Sequence, residues 1–480
     1  MAEATAAPTD PPPRRRPRER VGSASKHDVE TKGTEELGKR SVELARYFGG
    51  KIETVPKVPV RSLADFALWY TPGIAAVSRQ IAAEPESAFD LTGRWNTIAI
   101  VTDGSRILGL GDLGPAAALP VMEGKALLFK FLGGVDAIPI PIRVKSKEEI
   151  VETVQRLAPA FGAVNLEDIA SPKCFFVLEE LQKHLPIPVW HDDQLGTAAA
   201  TLAGLLNAIH LTGRSMKGLR TVLLGAGAAN IATARLLKAA GHDMHRLTIV
   251  DHKGVLHAER EDLDELMLRN PWKYRLALQT DGGGRKGALP DALAEADVLL
   301  AASTPDPNTV KPEWIRSMAK DPIVFALANP LPEIWPSAAE EAGAAVVATG
   351  RSDFPNQVNN SLIFPPVFRG ILDARARSIG DEIVIAAARE LADQAKARGL
   401  TTHHLLPTME EAEVFPHVAA AVASRSVELG TARHRLTHAE FLERAQVRMR
   451  RTHELTHALM RAGLIPPMPG EGTRASRRKR

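Results

Sequence analysis

The segment that most narrows the fold is residues 221–251. Thr221-Val-Leu-Leu reads as a short buried strand, runs straight into Gly225-Ala-Gly227-Ala-Ala-Asn230, and is followed by a helical pattern over 231–240. A second strand over 247–250 then ends in Asp251. Strand, glycine loop, helix and strand in that order call for a parallel crossover, and parallel strands need both faces of their sheet covered. Gly225 permits the tight turn, Gly227 lets the backbone approach a pyrophosphate, and the helix N-terminus offers its free amides to the anion. Asn230 stands where a third glycine would allow close helix–strand packing. Asp251 lies about twenty residues past the loop, the place of a ribose-binding acid. It disfavours a 2′-phosphate and so favours NAD over NADP, while His252 and Lys253 oppose that preference. Further strands over 297–301, 322–326 and 345–349, each preceded by a helical segment, extend the unit into a doubly wound sheet.

The densest chemistry lies upstream, in residues 161–201. Two apolar runs, 163–166 and 187–190, read as buried strands, and each leads into an acidic pair, Glu167-Asp168 and Asp192-Asp193. Such strand ends are where open α/β sheets place their ligands. Adjacent side chains of a strand point to opposite faces, so Glu167 and Asp168 can share a ligand only if the strand has ended by Leu166. A site built from carboxylates alone selects a hard divalent cation, Mg²⁺ or Mn²⁺, over zinc or copper.

Ahead of these segments, Tyr70 sits where Thr71-Pro72-Gly73 must interrupt a helix. Residues 97–102 and 106–110 read as a hairpin around Asp103-Gly104. Gly109-Leu-Gly-Asp-Leu-Gly114 spells a dinucleotide fingerprint, but Pro115 and Pro120 crowd the helix that would receive the phosphate, which makes it a substrate-side loop instead. A helix over 121–131 carries Lys125 near its start. Asn329 and Asn359-Asn360 sit past strand ends, where an asparagine either caps backbone or meets a ligand. Three helices, over 382–398, 414–429 and 439–461, close the chain. The last spells His453-Glu-Leu-Thr-His457, a zinc-protease pattern that is followed only by a short, Pro-rich and basic stretch and is read as an ordinary helix face.

A length of 480 residues suggests two or three domains. We divide them as a disordered basic, Pro-rich tail (1–34), a catalytic and metal-binding domain (35–200), a nucleotide-binding domain (201–435) and a C-terminal helix with a basic tail (436–480). The net charge of +3 is concentrated at the ends, +2 over 1–20 and +4 over 470–480, leaving −3 for the body. A basic groove for nucleic acid is therefore not expected, and the apolar run 195–211 is too short and too polar to span a membrane. The rival reading from another class is a nucleic-acid or membrane-surface binder that acts through its basic tails. Cys174 is the only cysteine, which excludes an intrachain disulfide and fits the cytoplasm.

Taken together, YTPGIA, DGSRILGLGDLGPAAALPVMEGKA, NLEDIASPKCF, HDDQLGTA, GAGAAN, ALANPLPEI and ATGRSDFPNQVNN resemble the malic enzymes in their compact bacterial form, over about residues 49–428. The resemblance implies oxidative decarboxylation of L-malate to pyruvate and CO₂ with NAD or NADP and Mg²⁺ or Mn²⁺, and some decarboxylation of oxaloacetate. It implies an α/β fold: an amino-acid-dehydrogenase-like N-terminal domain followed by a Rossmann domain, in a homodimer or homotetramer. Carried over, it places the metal on Glu167, Asp168 and Asp193, the general acid on Tyr70 and the catalytic base on Lys125, with Asp192 tuning the lysine. Arg106 would hold a substrate carboxylate, and Asn329 and Asn359 would fix malate against the nicotinamide. For the base role the Lys125 pKa is expected to be depressed. Leu195 stands in place of the histidine usual in HDDQHGTA, and Ser78 in place of a cysteine common after YTPGVA. A malolactic enzyme, releasing lactate, is the alternative within the same fold.

Overall fold

The computed structural model describes residues 26–280 and 283–469. A helix at Lys26–Phe48 begins nine residues before the expected 35–48, so the tail thought to be disordered to residue 34 is helical from Lys26. Arg40 in that helix donates to the Pro469 carbonyl at 2.7 Å, and these two stretches form a unit of their own. Residues 1–25 and 470–480, with the expected disorder of the basic tails, lie outside the described residues. The second unit, residues 52–466, holds both sheets.

In chain order its strands are β1 (Thr97–Thr102), β2 (Asp136–Pro141), β3 (Ala163–Leu166), β4 (Val189–His191), β5 (Thr221–Leu224), β6 (Leu247–Asp251), β7 (Gly254–Val255), β8 (Val298–Ala301), β9 (Ile323–Ala326) and β10 (Val346–Thr349). The first four form an all-parallel sheet in the order β2-β1-β3-β4. The other six form the doubly wound sheet, β10-β9-β8-β5-β6-β7, parallel except for the short β7. Runs such as Thr-Val-Leu-Leu in β5 are buried on both faces, which suits strands sandwiched between helices.

The expected hairpin is not formed. β1 pairs in parallel with β2 and β3, and residues 106–110 make a loop instead of a strand. Closure of that loop depends on Gly104 and Gly114. Gly114 N–H donates to the Gly104 carbonyl at 3.1 Å, and a side chain on Gly104, at φ 68°, would run into the Gly114 backbone. The helix carrying Lys125 is longer than the pattern suggests, Pro115–Gly133 instead of 121–131, because Pro115 occupies its first turn, where no N–H is needed. Its other end stops at Gly134, left-handed at φ 63°.

C-terminal helices Phe364–Asp373, Asp381–Ala397 and Phe415–Glu428 lie within or against the core. Arg369, fully buried, pairs with Asp373 at 2.7 Å and donates to Asn96 Oδ1 at 2.5 Å, just ahead of β1. The last helix, His438–Arg461, joins this network through an Arg448–Asp373 pair. Its His453 is within hydrogen-bonding distance of the Phe131 carbonyl, 2.7 Å, and stacks on the Phe131 ring, so the H-E-x-x-H spelling serves packing. No helix among the described residues is long and apolar enough to cross a membrane.

Helices Phe364–Asp373 and Phe415–Glu428 cross at Gly370, where an added Cβ would overlap the Ala419 carbonyl and sit 2.8 Å from Val422 Cβ. Gly370→Ala is therefore expected to destabilise the protein by about 1–3 kcal/mol through overpacking, seen as a lower thermal midpoint. An unchanged midpoint would contradict this close crossing.

Candidate active site

β3 ends at Leu166, as sharing of a ligand by Glu167 and Asp168 requires. Asp168 then adopts φ 52°, a left-handed conformation that non-glycine residues seldom enter. β4 ends at His191 and passes into a wide π-type turn, Asp192–Gly196. As a result, one oxygen from each of Glu167, Asp168 and Asp193 lies within 4.8 Å of the others. The backbone fixes the arrangement: Asp168 N–H donates to Asp193 Oδ2 at 2.9 Å, and the Leu108 amide donates to Asp168 Oδ1 at 3.3 Å. Arg106 N–H donates to the Asp168 carbonyl at 3.0 Å, which ties the glycine-rich loop to the cluster. The guanidinium of Arg106 itself is exposed.

Asp168 Oδ2 is buried without a hydrogen-bond partner. Burial, and then the neighbouring charge of Asp193, push the Asp168 carboxyl up to about 7. Burial likewise lifts Glu167 well above the usual carboxylate range, although Lys125 pulls the other way. Crowded carboxylates with an orphaned oxygen, and neither sulfur nor imidazole in the set, fit a hard divalent cation.

Lys125, on the inner face of the Pro115–Gly133 helix, reaches between the two acidic pairs. Its Nζ lies 2.6 Å from Glu167 Oε1, contacts Asp192 Oδ2 and sits 4.5 Å from the centre of the Phe364 ring. Desolvation alone would depress its pKa, but Asp192 and Glu167 outweigh it and the net shift is upward. The expectation of a depressed lysine is thus overturned for this state: two buried anions at contact distance hold the ammonium charged. Asp192 is fixed by Trp190 Nε1, which donates to its Oδ1 at 3.0 Å, and Asn165 Nδ2 donates to Glu167 Oε2 at 2.9 Å. Gly196 carries no side chain because the Asp192 carboxylate fills that space. His191 is fully buried, with its pKa lowered by desolvation and both ring nitrogens lacking hydrogen bonds; its Nδ1 is 3.7 Å from Asp193 Oδ2.

At the nucleotide loop Gly225 has φ 97° and approaches the Ala302 carbonyl, where only glycine fits. Around Gly227 there is open space for a ligand's approach. Asn230 does more than stand in for a glycine. It is buried, and its Nδ2 donates to the carbonyls of Leu224 and Gly225 at 2.8 and 3.0 Å, binding the helix to the end of β5. That helix, Ala228–Ala239, also packs on the turn carrying Asp192 and Asp193, so the nucleotide loop and the cluster share a support. Asp251 is enclosed: Arg260 Nη1 lies 3.0 Å from each of its oxygens, Lys273 contacts Oδ2, and the Lys253 amide donates to Oδ1 at 2.8 Å.

The structure brings some sequence candidates together and leaves others apart. The backbone of Gly109 passes so close to the Asn329 carbonyl that a Cβ there would be 2.6 Å from it, so the glycine-rich loop meets the Asn329 turn. Asn359 uses its amide on its own turn, donating to the Gly350 carbonyl and accepting from Ser361 N–H, both at 2.9 Å. Tyr70 is 66% exposed, and its hydroxyl makes no hydrogen bond among the described residues. Sequence reasoning missed Asn165, Trp190 and His191, which lie inside apolar strands and read there as core; it also missed the Asp103–Lys173 pair, whose acid was taken for a turn residue.

A nucleotide-dependent oxidoreductase is the class that this loop, lysine and acid cluster define. A model described as "Malic enzyme, NAD binding domain" matches residues 195–427, and one described as "Malic enzyme, N-terminal domain" matches residues 49–149. An NAD-dependent malic enzyme of Geobacillus stearothermophilus is 46% identical over 387 residues, 81% of this chain and 79% of the relative. A bifunctional malic/malolactic enzyme of Bacillus subtilis is 45% identical over 410 residues, 85% of this chain and 98% of the relative. The crystal structure of Entamoeba histolytica malic enzyme superposes with a TM-score of 0.89 at 41% identity, covering 94% of this chain and 93% of the other. The chain belongs to the malic enzyme family, the malate-decarboxylating oxidoreductases that use NAD(P).

With a folded pKa near 7, Asp168 keeps a proton that the unfolded chain has released above about pH 4. The native state binds more protons across that window, so the stability of the metal-free protein falls as pH rises through it. A divalent cation competes with the same proton, so its affinity rises over the same interval. Melting of chelator-treated protein at about pH 5.5 and about pH 7.5, with and without Mn²⁺, should show the larger Mn²⁺ stabilisation at the higher pH. Equal stabilisation at both values would rule out the cluster as the ion's ligand set.

Proposed function

We propose that the site oxidatively decarboxylates L-malate to pyruvate and CO₂, with Glu167, Asp168 and Asp193 as metal ligands and Lys125 and Tyr70 as the proton-handling groups. The observation that carries this reading is the Lys125 ammonium lodged between Glu167 and Asp192, with Glu167 also a member of the three-carboxylate cluster. When bound, Mg²⁺ or Mn²⁺ supplies Lewis acidity to the substrate oxygens and the nicotinamide accepts the hydride. Lys125 Nζ takes the C2 hydroxyl proton. It can do so only when the negative charge around it is reduced, and Glu167, the carboxylate it shares with the cluster, is where that reduction occurs. Asp192, locked by Trp190, keeps Nζ in position throughout. Arg106, exposed on the loop that is tied to Asp168, takes a substrate carboxylate in this reading. Asn329 faces that loop, and Asn359 exchanges its local hydrogen bonds for substrate ones. Oxaloacetate, as the oxidised form of malate, is decarboxylated at the same groups.

The enclosure of Asp251 supports a cofactor reading that includes NADP. Both of its oxygens are engaged and its charge is offset by Arg260 and Lys273, so the repulsion expected against a 2′-phosphate is cancelled. NADP is accepted at least as well as NAD. The single buried thiol, Cys174, goes with action in the cytoplasm.

Initial rates at 340 nm with malate and Mn²⁺ test these assignments. Lys125→Ala should lose about 10²-fold or more of the rate, Tyr70→Phe should mainly impair pyruvate formation, and kcat/KM for NADP should equal or exceed that for NAD. Wild-type rates in both variants would remove the assignment of the two groups, and a strong preference for NAD would remove the reading of Asp251. The malolactic alternative is favoured by the bifunctional Bacillus subtilis relative; there lactate would form without accumulation of reduced nicotinamide.

We further infer self-association. Between residues 52 and 84 no side chain is buried, yet Leu63, Phe66, Leu68, Trp69, Tyr70 and Ile74 are all exposed there. Six exposed apolar and aromatic side chains in so short a stretch are what a second copy of the chain would cover, which supports a homodimer or homotetramer. Leu63→Asp combined with Leu68→Asp should reduce the mass measured by light scattering to that of a monomer. Activity should fall with it, because Tyr70 lies in the same exposed segment. A wild-type protein that is already monomeric at micromolar concentration would refute the inference.

A further inference from the structure

Beside the carboxylate turn lies a cavity of about 260 Å³ whose lining includes Gln194 but none of the four clustered acids. Its walls come from three helices: Phe175 and Leu178 from Lys173–His184, Ile231 and Ala232 from Ala228–Ala239, and Trp272 and Leu276 from Pro271–Gln279. Phe175 and Trp272 pack against each other in its wall, with ring centroids 5.2 Å apart. Into these carbon walls projects one buried amide. Gln194 is 1% exposed, and its Nε2 has no hydrogen-bond partner. Buried donors of this kind almost always find an acceptor, and neither the walls nor the neighbouring backbone supplies one here.

The rim is cationic. Arg235, Lys238 and Arg275 line the cavity and are exposed; Arg235 is paired with Asp381 at 3.1 Å and Lys238 donates to Gln279 Oε1 at 3.2 Å, whereas Arg275 forms no ion pair or hydrogen bond among the described residues. Glu179, the one carboxylate in the lining, is already engaged by Trp272 Nε1 at 2.5 Å. The space admits several waters, or a ligand of about ten non-hydrogen atoms. Carbon walls host that much water poorly, whereas an apolar body fills them and a carboxylate supplies both the acceptor that Gln194 lacks and the charge that the rim attracts.

We propose that this cavity binds a small monocarboxylate with an apolar body, and that occupancy acts on the metal-bearing turn through Gln194. Gln194 follows Asp193 directly in the Asp192–Gly196 turn, so a ligand that takes up its amide stiffens the segment that positions Asp193. The effect on catalysis rests on the malate reading; the binding itself does not.

Octanoate is a suitable probe, with octanol as its uncharged counterpart. Calorimetric titration into the metal-loaded full-length protein should show one site for octanoate and markedly weaker binding of octanol. Ala232→Phe, which fills the cavity, should weaken octanoate by at least about tenfold, and Arg275→Glu, a surface change that leaves the fold intact, should weaken it by about threefold or more. In the wild type, octanoate should also shift the Mn²⁺ concentration for half-maximal malate turnover by about twofold or more, and Ala232→Phe should abolish that shift. No binding at about 5 mM octanoate, or an affinity that both variants leave unchanged, would overturn the site. Binding that obeys the variants but leaves the Mn²⁺ dependence unmoved would overturn the coupling. Because calorimetry reads binding without turnover, a failure of the malate assignment is distinguishable from a failure of the cavity.

Discussion

Burial of the Lys125 ammonium between Glu167 and Asp192 is the contact that the surrounding architecture has to support. Four carboxylates, Glu167, Asp168, Asp192 and Asp193, converge on two strand ends with one lysine among them, and three of the four are almost wholly removed from water. Taking such charges out of water costs several kcal/mol per ion unless partners replace the lost solvation. The replacements are specific: an indole on Asp192, an amide on Glu167, and backbone N–H groups on Asp168 and Asp193. Even so, negative charge remains in excess, which a divalent cation would balance. The same excess explains why the lysine stays charged in the absence of the ion.

Parallel sheets make this concentration of charge possible. Strands buried on both faces leave only their ends free for polar work, and the ends of β3 and β4 are adjacent because those strands pair in register, Leu166 opposite His191. The second sheet repeats the principle with a different chemistry. At the end of β5 the chain offers glycines and free amides, and at the end of β6 an acid whose charge is offset by neighbouring cations. Packing of the Ala228–Ala239 helix on the Asp192–Gly196 turn gives the two solutions a common support.

Much of this was legible in the residues, and the limits have physical causes. Periodicity and the glycine loop located the doubly wound sheet, and the two acidic pairs located the cluster, because both signals are local in sequence. The strand assigned to 106–110 failed because a run of alternating apolar residues next to Asp103-Gly104 looks like a hairpin, whereas the segment is held by long-range contacts to Asp168. Long-range geometry also decided the Lys125 pKa: the base role implied a depressed amine, but two carboxylates more than forty residues away in sequence reverse the sign. Asn230 shows a third limit. Judged as a missing glycine it looked like a defect, yet its side chain makes the helix–strand bond that a glycine would have left to close packing alone. Asp251 was placed correctly as the acid after β6, but the partners that neutralise it come from residues 260 and 273, beyond the motif.

The final helix, His438–Arg461, lies beyond the stretch recognised as nucleotide-binding and resembles an appendage. Its Arg448 backbone nevertheless runs 3.2 Å from where a Cβ on Gly134 would stand, His453 sits on Phe131, and Arg448 shares Asp373 with Arg369. It splints the far end of the very helix that carries Lys125. Removing this helix would loosen the root of Lys125, so the two are mechanically one piece despite the three hundred or so residues between them.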